Sequence, residues 1–171
     1  MIVVGVDPGL VATGYGVIQA SGTASKIIEA GVVRTEKADP LERRVLRIYN
    51  EISDVIAEFK PAALAVEELY SHYEHPMTAT LMGHARGVMF LAAAEKDVPV
   101  YSYAATRIKK ALTGSGSAGK AQVQRMVQKL LGVSTPIQPD HVTDALAAAL
   151  CHANMFHRGK MLGSFPAGTG G

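Results

Sequence analysis

The chain has no tryptophan, one cysteine and few aromatic residues of any kind. The single thiol, Cys151, has no partner for an internal disulfide. That usage fits a reducing compartment, so a cytoplasmic setting is expected, with Cys151 as plain core in an apolar helical pattern. No apolar run approaches the length of a membrane span. The apolar N-terminus has no basic region ahead of it, so a signal peptide is not expected. Acidic residues are missing altogether from Val98 to Pro139, a stretch that carries Arg107, Lys109, Lys110, Lys120, Arg125 and Lys129. The net charge of all 171 residues is only +2, so positive charge is concentrated rather than abundant. One-sign clustering suggests an anionic partner, with a solvated basic face as the plainer alternative.

What is present reads as one globular domain with a real core. Five of the first six residues are apolar and three are valine, the composition of a strand buried on both faces. This strand stops at Asp7, because Pro8 cannot donate to a ladder and Gly9 opens a turn. Tyr15 to Ala20 reads as a second strand, Ser21 to Thr23 as a turn, and Lys26 to Arg34 as a third strand. Asp39-Pro40-Leu41-Glu42 predicts a helix start, with Asp39 as cap and Pro40 first in the helix. Leu41, Val45, Ile48, Ile52, Val55, Ile56 and Phe59 then form one stripe at helical period. A fourth strand runs from Ala63 to two carboxylates, Glu67 and Glu68. A long helix from Met77 to Lys96 carries Gly83 and Gly87, which cost stability unless something packs closely on them. A fifth strand (Val98 to Tyr103), a short basic helix (Ala104 to Leu112), a flexible Gly-Ser loop and a helix from Lys120 to Leu131 follow. The last helix begins at Asp140 or His141 and ends near His157.

Asp7 and Glu67 each end a strand. If the intervening helix makes a right-handed crossover, both acids reach the same edge of the sheet. Asp140, His141 and Asp144 share a helical face at spacings of three and four. Acids gathered in one place repel one another unless cations bind between them. An oxygen-rich site of this kind suits Mg²⁺ or Mn²⁺, and two ions suit phosphodiester cleavage. By themselves the residues also allow separate caps and surface groups. The segment Gly114 to Ala121 nearly spells a phosphate-binding loop. The residues before it read as a helix rather than a strand, and Ala121 lacks the hydroxyl that loop needs.

Several segments carry a resemblance. Gly5-Val6-Asp7-Pro8-Gly9, Thr13-Gly14-Tyr15-Gly16, Val66-Glu67-Glu68, Gly83-His84-Ala85-Arg86-Gly87, Gly114-Ser115-Gly116-Ser117-Ala118 and Asp144-Ala145-Leu146-Ala147 closely resemble RuvC, the bacterial Holliday-junction resolvases, in register over roughly residues 1–157. The order of elements already implies a mixed α/β sheet with helices on both faces, and the glycine-rich end a flexible tail over 158–171; the resemblance implies a ribonuclease-H-like fold for residues 1–157, with a five-stranded mixed sheet flanked by helices. It implies a homodimer that makes symmetric, metal-dependent nicks in four-way DNA junctions, and a link to the RuvA–RuvB branch-migration machinery. The family's acids fall on Asp7, Glu67 and Asp144. Its fourth ligand falls on His141, where many members carry an acid, and Asp140 beside it competes for that role. Its DNA-holding lysines fall on Lys109 and Lys120, and its aromatic residue near the scissile site on Tyr70. A ring just beyond Glu67 can stack on unpaired bases, although a half-buried packing role is also open to it. Arg86 is read as structural. Two other classes stay in play: another ribonuclease-H-like nuclease acting on RNA–DNA hybrids or flaps, and a non-catalytic junction-binding protein.

Overall fold

A computed structural model of the chain describes residues 1–68 and 76–162. Three strands come first, β1 (Ile2–Asp7), β2 (Ala12–Ser21) and β3 (Ala24–Arg34). They are followed by α1 (Leu41–Phe59), β4 (Ala63–Glu67), α2 (Pro76–Ala94) and β5 (Val100–Tyr103). Three helices close the chain: α3 (Ala105–Thr113), α4 (Lys120–Leu131) and α5 (Asp140–Leu162). The strands lie in the order β3-β2-β1-β4-β5. β1, β2 and β3 pair antiparallel, while β4 runs parallel to β1 and β5 parallel to β4. This is the five-stranded mixed sheet of a ribonuclease-H-like fold, with β1 at its centre.

The two-residue period of the strands sorts the core into two layers. On one face Val4, Val6, Leu64 and Val66 pack against Ile48, Ile52 and Ile56 of α1 and against Ala85 and Met89 of α2. On the other face Val3, Ile18, Ala65 and Tyr103 pack against Leu146 and Leu150 of α5 and against Ile108 and Val123 of α3 and α4. Val3, Val4 and Val6 are fully buried, as their composition predicts, and Cys151 is a buried free thiol.

The seat of α5 decides where the site forms. β1 and β2 present glycine where the helix crosses them. A Cβ on Gly5 would stand 2.0 Å from the carbonyl oxygen of Ala145, and one on Gly14 would stand 2.0 Å from that of His141. No side chain fits at those distances. With glycine in the sheet and alanine on the helix, the first turns of α5 lie directly on the ends of β1 and β2.

Several element ends differ from expectation: β2 begins at Ala12 rather than Tyr15, β3 at Ala24 rather than Lys26 and β5 at Val100 rather than Val98, α2 ends at Ala94 rather than Lys96, and α1 and α5 differ as follows. α1 begins at Leu41, and Pro40 occupies the N-cap position with ψ 146° and no side-chain cap. The Pro40 carbonyl, rather than the Asp39 side chain, opens the helix by accepting from the N–H groups of Arg43 and Arg44. α5 runs on to Leu162, past His157, because Arg158, Lys160, Met161 and Leu162 favour helix and Gly159 alone is a weak stop.

Candidate active site

Asp7 is the last residue of β1 and Glu67 the last of β4. Parallel pairing sets Val6 beside Val66, so the two carboxylates leave neighbouring strands at the same end. Strand alternation turns both toward α5, the face that Val3, Gly5 and Ala65 also serve. The first turn of α5 then delivers His141 and Asp144. His141 Nδ1 stands 2.7 Å from Asp7 Oδ2. The turn after Asp7 is latched from two sides. Thr13 Oγ1 donates to the Gly9 carbonyl at 2.7 Å and Thr35 Oγ1 donates to the Leu10 carbonyl at 2.5 Å. Arg44 Nε donates in turn to Thr35 Oγ1 at 2.9 Å. Asp7 therefore sits on a rigid mount with 23% of its side-chain surface exposed, dry enough to be perturbed and open enough to take a ligand.

The electrostatics of the three acids agree with one another. Burial pushes the Asp7 carboxyl above its ordinary range, and the hydrogen bond and charge of His141, with the charge of Lys120, pull it back. Burial raises Glu67 as well, reinforced by repulsion from Asp7 and Asp144 and opposed by Lys109. Asp144 is raised by burial and then by Asp7, with Lys120 opposing. Glu67 thus feels both aspartates and Asp144 feels Asp7, as like charges in one partly dry place must. Glu67 and Asp144 share a cleft of about 220 Å³ with Lys109 and Lys120. Among the described residues no three His, Cys, Asp or Glu side chains stand close enough together to chelate one ion as they are placed. Repulsion that only lysines and an imidazole offset is the condition a divalent cation relieves, and three carboxylates with one imidazole form a hard, oxygen-rich donor set.

A family model described as crossover junction endodeoxyribonuclease RuvC matches residues 3–152. This chain belongs to the RuvC family. A crossover junction endodeoxyribonuclease RuvC from Rhodopirellula baltica is 45% identical over 149 residues, which is 87% of this chain and 84% of the relative. The structure is similar to that of RuvC from Thermus thermophilus, with a TM-score of 0.88 and 38% identity over 93% of this chain and 97% of the other. It is also similar to T. thermophilus RuvC in complex with a Holliday junction substrate, with a TM-score of 0.86, 36% identity and the same coverage.

Within this chain the remaining expected residues divide. Asp140 and His141 go separate ways. His141 faces Asp7, while Asp140 turns to Lys120 Nζ at 2.7 Å and accepts from Gln124 Nε2 at 2.9 Å. That partner pushes the Lys120 ammonium up and holds the Asp140 carboxyl below its ordinary range. Lys109 lines the cleft beside Glu67. Tyr70 lies outside the described residues. Sequence reasoning missed the Thr13–Thr35–Arg44 latch and the reach of Arg86 to the end of β4. It also missed the glycine seat, although Gly5, Gly14 and Gly16 in two strands that pair, set against an alanine-rich helix, are a readable signal for one.

Proposed function

We propose that this protein is a structure-specific endonuclease that resolves four-way (Holliday) DNA junctions by paired, metal-dependent nicks in recombination and repair. The observation that carries the reading is the meeting of Asp7, Glu67 and Asp144 at one sheet end beside two lysines, in a chain of the RuvC family. Asp7, Glu67 and Asp144 would hold Mg²⁺ or Mn²⁺, two ions per site, with His141 as the fourth ligand. Bound there, divalent ions supply an activated water and compensate the charge on the leaving oxygen.

The chain's own groups do the rest. Lys109 and Lys120 take phosphates and set the register of the DNA, which positions the scissile bond without reading sequence. Tyr70 follows Glu67 closely in the chain, and a stacking role there would favour the unpaired bases of a junction centre over plain duplex. Symmetric nicks need two sites, and a homodimer through α2 provides them. Gly83, Gly87 and Leu91 recur at every fourth residue of α2. Leu91 is 52% exposed, and a Cβ on either glycine would meet open space. Leu46 on α1 is also exposed, across a cleft of about 650 Å³ that Val88 and Leu91 help to line. A cytoplasmic location and cooperation with RuvA–RuvB go with the same reading.

The test is nicking of a synthetic four-way junction with and without divalent ion, beside linear duplex and RNA–DNA hybrid. Paired, ion-dependent nicks in the junction alone are expected. Equal cleavage of the hybrid, or binding without cleavage in any ion, would overturn the reading.

A further inference from the structure

Arg86 lies on α2, on the sheet face opposite α5, and reaches the end of β4 from behind. Its Nη1 donates to the main-chain carbonyl of Glu67 at 2.5 Å, and its Nη2 donates to Ser102 Oγ of β5 at 2.7 Å. The guanidinium carbon stands 4.6 Å from the centre of the Phe90 ring, one helical turn along, so the fork is supported as well as bonded. The neighbouring peptide is held too, since the Glu68 N–H donates to the Tyr103 carbonyl at 2.9 Å. Glu67 closes its strand, where ladder bonds run out, and Arg86 supplies its carbonyl with a charge-assisted partner. The half-buried guanidinium, partly offset by the charge of Glu68, places both of its bonds on a main-chain carbonyl and a hydroxyl at the ends of β4 and β5. The side chains of Glu67 and Arg86 lie on opposite faces of the sheet, so Arg86 governs the carboxylate without competing for whatever binds it.

We propose that Arg86 is a positioning residue for Glu67, fixing the main chain at the end of β4 and through it the aim of the carboxylate toward Asp7 and Asp144. The inference rests on Glu67 being a metal-holding acid. A group that orients a ligand leaves DNA binding alone and changes how well the ion is held, because partners one step removed from a metal cost about 10–100-fold when lost.

The experiment compares wild type with Arg86→Gln, Arg86→Lys and Ser102→Ala. Three quantities are read: the rise in Tm that Mn²⁺ produces, the Mn²⁺ concentration for half-maximal nicking, and junction affinity without divalent ion. Arg86→Gln should need about tenfold more Mn²⁺ on both metal readouts, with junction affinity within about twofold of wild type. Arg86→Lys, which keeps one charged donor, should recover most of the loss. Ser102→Ala, which frees only the other arm of the fork, should shift both metal readouts in the same direction by less. If Arg86→Gln does not fold, Arg86→Lys and Ser102→Ala carry the comparison, each still needing more Mn²⁺ than wild type. Unchanged Mn²⁺ requirements in the folded variants, or junction binding that falls in step with nicking, would overturn the role. A wild type that never nicks junctions would instead refute the functional reading, and the Mn²⁺-induced Tm shifts would still judge Arg86.

Discussion

At the scale of single residues, the site holds charge that the fold does not want. Asp7, Glu67 and Asp144 all have carboxyls raised above their ordinary values. A raised acid binds its proton more tightly in the folded chain than in the unfolded one. Its contribution to stability is therefore complete below the unfolded value, near 3.8 for an aspartate, and is lost as pH rises through the folded value. At neutral pH without metal, the ionised acids work against the fold. Asp7→Asn should thus raise the metal-free Tm at pH 7, by roughly 2–4 °C for each kcal/mol recovered, and the gain should vanish in acid. The same change should lower junction nicking by at least about 100-fold while junction affinity holds, because phosphate contacts rather than Asp7 carry binding. Wild type should gain Tm on adding Mn²⁺ and the variant should not. Thermal melts with and without ion, beside gel-based binding and nicking, check all of this.

His141 and Asp140 offer a sharper test of the same kind. His141 faces Asp7, whereas Asp140 is tied to Lys120 and Gln124. His141→Ala should therefore lose most nicking and Asp140→Ala should keep it. Imidazole is softer than carboxylate and takes one negative charge out of the site, so Mn²⁺ should serve the wild type better than Mg²⁺. His141→Asp should restore activity in Mg²⁺. Rates of the three variants in each ion decide it, and a dead Asp140→Ala beside an active His141→Ala would reverse the assignment.

At the scale of elements, the legible parts were those with a clear apolar pattern. The unbroken apolar run of β1, buried on both faces, and the helical stripe of α1 are both in the sequence. The convergence of Asp7 with Glu67 was also legible, since it needs only a right-handed crossover after the meander. Ends and clamps were harder. The Asp39-Pro40 pattern resembles a side-chain cap, but Pro40 takes an extended ψ and its own carbonyl opens the helix. Arg86 bonds a main-chain carbonyl and a serine 16 residues away, and no spacing rule announces such partners. The basic run between Val98 and Pro139 falls on two elements with different surroundings. Lys109 on α3 lines the cleft, while Lys120 at the start of α4 is already paired with Asp140. Alanine at either position should reduce the slope of log affinity against log salt by about one. Asp140 competes with a phosphate for Lys120, so Lys109→Ala should cost more affinity at a given salt. Junction titrations over a range of salt measure slope and offset together.

At the scale of the whole molecule, α2 has two unlike faces. Its inner face is settled, because Ala85, Met89, Ala92 and Ala93 are buried in the core. Its outer stripe of Gly83, Gly87 and Leu91 makes little sense in one chain. Glycine inside an exposed helix costs about 1 kcal/mol relative to alanine, and a Cβ at either glycine meets nothing within 4 Å. For an isolated chain Gly83→Ala and Gly87→Ala would then be stabilising, and larger side chains would be tolerated. If a second copy lays its own helix along the stripe, the sign reverses, because every added carbon stands between two backbones. Gly87→Leu should leave the monomer folded, with unchanged helix content, and weaken the dimer by roughly 5- to 150-fold if overpacking costs the usual 1–3 kcal/mol. The functional consequence follows from symmetry. A dimer holds two sites on one junction and makes both nicks in a single encounter, whereas a dissociated variant nicks one strand and leaves. On a supercoiled plasmid carrying a cruciform, paired nicks yield linear product and single nicks yield relaxed circles. Gly87→Leu should move the product from linear toward relaxed at equal total nicking, and sedimentation should show the matching loss of dimer. A variant that stays dimeric and linearises the plasmid as wild type does would place the interface elsewhere.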